Sequence, residues 1–324
     1  MVQYESRGQS PVSEREGSFR HYLTQKKAAL QAHMDGNGLP DYAFALDFEL
    51  RKKLDAIPHF FNLCQTIVNT YASRQLQIMN QSALAVGPNQ FPDVYAIAKD
   101  CARQLGIGIP NIFICGDSSV NAYTVSCDDL EPFIVVHSGL YERVSPGELR
   151  VVIGHECGHV HNQHGVYGTM ANVIFNAGLN AAAIGGLSAA LLNTITYGAQ
   201  MALRSWSRAM EVTADRAGMI CCDRIEDAYS INAKFLYGAA FGEHSIDYDA
   251  LILQLEKTQN NVTQLEEMFR DHPAPVRRIM AERAFAACDI FHQWRPDLRK
   301  AGEAVRTKAV TDEICKNYIN VFMK

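Results

Sequence analysis

The sequence predicts an α+β fold, mostly helical, with a small sheet of three or four strands. Helical spacing of apolar residues dominates both ends of the chain. Between them sit three short β-branched or aromatic runs, "NIFICG", "NAYTVS" and "PFIVVHSG", each bounded by Gly, Asn, Asp or Ser. Helical texture then resumes at a capping signal and continues to the C-terminus, which suits one α+β domain better than two domains.

In chain order, residues 1–17 are polar with Gly, Ser and Pro and are expected to form a flexible tail. Residues 18–90 read as an N-terminal helical region, broken near "DGNGLPD" (Asp35–Asp41) and closed by a loop with Gly87 and Pro88. The main domain is expected over 91–295. It opens with "PDVYAIAKDCARQLG", an amphipathic helix with Pro92 near its start and Gly106 near its end. The three strands follow. "SPGELRVVIGHECGHVHNQHG" then begins a helix with a capping box: Ser145 as N-cap, Pro146 at the first helical position and Glu148 at the third. Residues 296–324 read as a C-terminal helical extension.

Composition narrows the function. The 324 residues are 48% hydrophobic and 20% charged, enough for a sizeable core. The net charge of −5 comes without a basic stripe, so a nucleic-acid partner is not expected. Nine cysteines, an odd number with no CxxC pair, argue for reduced thiols and against a thiolate metal site. The N-terminus has no apolar run of the kind a signal peptide needs, so a cytoplasmic location is expected.

The chemistry concentrates in HExxH at His155–His159. Residues four apart on an α-helix share a face, so both imidazoles can bind one ion, with Glu156 beside them to hold a water. Zinc suits nitrogen and carboxylate ligands in a tetrahedral set. A catalytic zinc needs a third ligand. The metzincin extension would require Gly at 162 and His at 165, where this chain has Asn162 and Gly165. His161 and His164 lie off the ligand face and read as polar residues at a helix end. Cys157 reads as a small packed hydrophobe. A second helix offers Glu211 and Asp215, four apart in "SRAMEVTADRAG", among small residues that permit close packing. Glu211 can complete the site and Asp215 can fix a ligand tautomer. Taken alone, this pair reads better as an exposed acidic pair balanced by Arg208 and Arg216.

HExxH followed by ExxxD in this setting resembles the gluzincin family of CAAX prenyl endopeptidases, HtpX-type heat-shock proteases and their small soluble relatives. "NAYTV", "IVVHSGLYERVSPGELRVVIGHECGHV" and "DHPAPVRRI" extend the resemblance over roughly 91–279. The resemblance implies a zincin-like metallopeptidase domain acting on peptide or protein substrates. It implies one zinc on His155, His159 and Glu211, with Glu156 as acid/base and Asp215 behind a ligand. His272 would stabilise the oxyanion or occupy the open zinc position, and Arg278 would donate to a substrate carbonyl or to Asp215. The strand Phe133–Val136 would be an edge that pairs with extended substrate, placing Val135 and Val136 on it. Asn121 and Ala122 would lie beside the cleft.

Residues 165–203 contain no Asp, Glu, Lys or Arg. Asn172, Asn176 and Asn180 form one polar stripe at helical spacing. A soluble helical hairpin covering the cleft is expected, with peripheral membrane contact as the alternative. Two competing functions follow: a non-proteolytic zinc protein that binds clients or a membrane through this segment, and a peptidase held latent by His272. Oligomeric state has no signature in the sequence.

Overall fold

The computed structural model describes residues 33–34, 38–127, 130–175, 195–237, 246–258, 272–302 and 304–319. The expected tail and the middle of the uncharged segment, including Asn176 and Asn180, lie outside them. Among the described residues two helices come first, α1 (Ala45–Asp55) and α2 (Phe60–Ser82). They are separated by a break at Ala56–His59 that periodicity does not reveal; His59 there takes a left-handed φ of 61°. Strand β1 (Ala83–Ala85) leads to α3 (Pro92–Leu105), which ends at Gly106 with φ 69°. That backbone favours glycine.

Strands β2 (Asn111–Cys115), β3 (Ala122–Val125) and β4 (Phe133–His137) follow. The sheet order is β1-β2-β4-β3, with β2 and β4 parallel and the outer pairs antiparallel. This corrects one expectation. β4 is an inner strand, paired on both sides, and among the described residues β1 and β3 are the edges, β3 being the one beside β4. Val135 and Val136 are fully buried, one in each of the two main core clusters, so neither can touch a substrate. Ile112, Ile114, Ile134 and Val136 join the core of α3 and the following long helix. Phe113, Val125, Phe133 and Val135 join the core of α2. A strand covered on both faces is apolar without alternation, as "FIVV" is.

After the one-turn helix α4 (Ser138–Tyr141) come α5 (Pro146–His161), α6 (Gly165–Phe175), α7 (Tyr197–Cys221) and α8 (Ile225–Tyr237). The remaining α-helices among the described residues are α9 (Tyr248–Thr258), α10 (Pro275–Ala286), α11 (Asp289–Trp294) and α12 (Lys308–Ile319). No helix among the described residues is long and apolar enough to cross a membrane.

The capping box forms: Glu148 N donates to Ser145 Oγ at 3.2 Å and Ser145 N to Glu148 Oε2 at 2.7 Å. Glu148 also accepts from Lys234 Nζ and Ser230 Oγ, both at 2.6 Å, tying α5 to α8. Burial raises its pKa, but Lys234, Ser230 and Ser145 outweigh that and hold it below the usual 4.5. A depressed folded-state pKa contributes stability that is complete above pH 4.5 and is lost as pH falls through the lower folded value. Glu148→Gln is therefore expected to cost about 1–3 kcal/mol at neutral pH by leaving buried donors unpaired. The Tm difference from wild type should stay constant from pH 8 to 5 and narrow below it. A pH-independent difference would remove the ionised carboxylate from this account.

Candidate active site

α5 and α7 lie against each other along small residues. A Cβ on Gly154 would meet Cys221 Cβ at 2.6 Å, and one on Gly158 would meet Ala217 Cβ at 2.6 Å. This proximity brings the two halves of the site together. His155 Nε2 and His159 Nε2 are 3.2 Å apart, and Glu211 carboxylate oxygens lie 3.5 and 3.6 Å from them. The three donor atoms fall within 4.8 Å of one another. Two nitrogens bound tetrahedrally to zinc at ordinary bond lengths would sit about 3.3 Å apart. The donor set therefore fits a metal ion of that size.

Glu211 and Asp215 are 2% and 4% exposed, which removes the reading of a solvated acidic pair. Asp215 Oδ1 lies 2.9 Å from His155 Nδ1, on the far side of the ring from Glu211. Arg278 on α10 grips Asp215 in a fork, Nε to Oδ2 at 2.9 Å and Nη2 to Oδ1 at 2.5 Å. The arginine thus ends on Asp215, one of its two expected targets. Burial alone would disfavour charge on His155, but Asp215 and Glu211 push its pKa up to about 10, so the protein groups favour a proton there that a metal would displace. Burial and the neighbouring His155 hold His159 neutral.

Glu156 is buried, and burial pushes its pKa up. Thr124 Oγ1 donates to Glu156 Oε2 at 2.6 Å and lies 3.2 Å from its main-chain oxygen. Thr124 belongs to β3, so the edge strand orients the carboxylate. Sequence reasoning placed this strand beside the cleft without singling out Thr124. His272 is half exposed, with Nδ1 3.1 Å from Glu211 Oε2.

All of these groups line one cleft of about 750 Å³, as do Asn121 and Ala122. In the β3–β4 register, His137 N donates to Asn121 O at 3.0 Å. The alternation of an antiparallel ladder then turns the main-chain groups of Ala122 and Thr124 away from β4. Further along, Thr169 on α6 takes up both main-chain groups of Ser126, closing that end of the edge.

Residues 88–285 match peptidase family M48. The chain belongs to this family. It is a metallopeptidase, and the match contains both helices of the site and the His272–Arg278 element. The chain is 26% identical over 247 residues to the plastoglobule-localized metallopeptidase 48, chloroplastic, of Arabidopsis thaliana, covering 74% of this chain and 70% of that protein. It is 27% identical over 196 residues to a protease HtpX homolog of Bifidobacterium longum, covering 55% of this chain and 64% of that one. A protease HtpX homolog of Thermococcus kodakarensis is 27% identical over 121 residues, covering 37% and 42%. The chain thus spans less than two thirds of either HtpX relative. Helices α1 and α2 precede the M48 match, and α11 and α12 follow it.

His161 and His164, read from sequence as bystanders, are not among the clustered donor atoms, yet both are buried. His161 Nδ1 is 2.9 Å from Tyr42 Oη. His164 lies against His159 itself.

Proposed function

We propose that this M48 peptidase is a zinc-dependent endopeptidase that cleaves extended segments of peptides or unfolded proteins. The observation that carries this reading is the joint placement of His155, His159 and Glu211 at metal-binding separations beside Glu156 and an open strand edge. Zinc held by those three residues would supply a Lewis acid that activates water and polarises the scissile carbonyl. Glu156 takes the proton of the attacking water and returns it to the leaving amine nitrogen. Burial raises its pKa, which makes the carboxylate a stronger base for the proton it takes up. Thr124 keeps one carboxylate oxygen occupied, so the other faces the reaction. Ala122 and Thr124 bind substrate by strand addition, and the closure at Ser126 limits how far the bound strand extends in that direction. Asn121 flanks this edge. Asp215 and Arg278 fix the His155 tautomer.

His272 stands where its ring can donate to the oxygen of the tetrahedral intermediate, oriented by its contact with Glu211. His272→Ala is expected to lower kcat about 10²-fold with zinc content unchanged. A rise in kcat would make the residue a latch instead.

We place the catalytic domain at 91–295, flanked by the N-terminal helical region and the C-terminal extension, and a cytoplasmic location belongs to the same reading, with contact at a membrane surface through 165–203 as the alternative. Cell fractionation and liposome flotation test the location. Cleavage of a denatured protein by the purified chain, abolished by a chelator and restored by added zinc, tests the activity; cleavage that survives metal removal would overturn it.

A further inference from the structure

His164 is 2% exposed and sits just past the end of α5. Its Nδ1 lies 2.8 Å from His159 Nδ1, and its Nε2 lies 2.9 Å from Asp47 Oδ2. Asp47 is on the first turn of α1, outside the M48 match, and is buried. Its carboxylate is held from two further directions. Trp206 Nε1 donates to Oδ1 and Thr213 Oγ1 donates to Oδ2, both at 2.8 Å. The indole N–H only donates, and an ionised carboxylate only accepts, so the Thr213 hydroxyl, which takes the Phe44 N–H on a lone pair at 3.2 Å, gives its proton to Asp47.

Only one arrangement of protons satisfies this chain of contacts. An imidazole that offers Nε2 to a metal carries its ring proton on Nδ1. His159 therefore donates from Nδ1, and His164 Nδ1 must accept. His164 then carries its proton on Nε2 and gives it to Asp47. Every link has one donor and one acceptor. The two expected ligand histidines thus have separate carboxylate supports: Asp215 directly on His155, and Asp47 through His164 on His159.

We propose that Asp47 and His164 form a positioning relay that fixes the metal-binding tautomer and ring orientation of His159, which makes helix α1 part of the metal site. This rests on the assignment of His159 as a ligand. The relay explains why α1 is fastened to the end of α5 by further bonds. Asn162 Nδ2 donates to Tyr42 Oη at 2.9 Å, and Arg51 Nη1 donates to Asn162 O at 3.0 Å. A shift of α1 would separate Asp47 from His164.

Asp47→Asn separates polarity from packing. An asparagine carries two N–H donors on one side. Turned toward Trp206, they face an indole donor; turned toward His164, they force that ring to accept on Nε2 and donate from Nδ1 against His159. Either way one link becomes donor against donor in nearly unchanged volume. Tyr42→Phe is the control, since it loosens the same segment without entering the relay. Zinc affinity of the full chain would be read by competition with a chelator, and ring tautomers by ¹⁵N–¹H long-range correlations. Asp47→Asn is expected to weaken zinc binding about 10–100-fold while Tyr42→Phe stays within about threefold. In the zinc-loaded wild type, His164 should carry its proton on Nε2, and Asp47→Asn should disturb that state. Unchanged zinc affinity in Asp47→Asn, an equal loss in Tyr42→Phe, or a wild-type His164 protonated on Nδ1 would each overturn the relay. A wild-type chain that takes up no zinc would overturn the ligand assignment and the relay with it.

Discussion

Glu156→Gln should reduce peptide hydrolysis by about 10³–10⁴-fold, the scale of a lost general acid–base, with zinc content unchanged. The substitution keeps the size of the side chain and an oxygen for the Thr124 hydroxyl to reach. It removes only the ability to accept and return a proton. Because burial pushes the Glu156 pKa up, the ionised carboxylate opposes folding at neutral pH, and a neutral amide does not. The Tm of the variant should therefore equal or exceed that of wild type. Activity and stability are thus expected to move in opposite directions, as they do where a strained group serves catalysis. Retained hydrolysis would remove Glu156 from the reaction. A large fall in Tm would instead show that the carboxylate is a structural anchor.

Gly158→Ala should damage the site without altering any ligand. The added Cβ would meet Ala217 Cβ at 2.6 Å and the backbone of Ala214 at 3.2 Å, so α5 and α7 must separate by several tenths of an ångström. Overpacking of this kind costs about 1–3 kcal/mol, which should appear as a lower Tm. His155 and His159 ride on one helix and Glu211 on the other, so the same displacement spreads the donor atoms. A misplacement approaching 1 Å costs about 10²-fold in rate, and a loss of 10–100-fold in kcat/KM is the expected scale here. Measuring kcat/KM and zinc affinity together checks the cause, since both should fall. A variant with normal activity would mean that the helices tolerate a wider spacing than their contact surface implies.

The parts of the site set by helical geometry were legible in the sequence. His155 and His159, like Glu211 and Asp215, share a helix face because they are four residues apart, and the Ser145–Glu148 capping box fixed where α5 begins. The small residues around Asp215 marked a helix that could approach another closely. What depended on tertiary pairing was not legible. Asp47 reaches His164 across 117 residues, and nothing around "ALDFEL" distinguishes this carboxylate from a solvated one. Thr124 carries no motif of its own. Its role comes from β3 lying over the start of the HExxH stretch. The position of β4 was not legible because strand order follows from pairing partners: β4 comes last of the three in the chain yet takes β2 on one side and β3 on the other. The unbroken apolar run of β4 did hold the clue, since an edge strand with one exposed face would alternate. His164 was set aside because it lies off the ligand face of α5. That offset places it behind His159, where a supporting residue belongs and a ligand does not.

The central claim is that His155, His159 and Glu211 form one zinc site spanning α5 and α7. Its most direct test is the metal content of the purified wild-type chain beside Glu211→Ala, by elemental analysis after dialysis against a weak chelator. About one zinc per chain in wild type is predicted, with a strong fall in the folded variant, since catalytic zinc takes three protein ligands. Zinc retained in full by Glu211→Ala, or absent from wild type, would contradict it.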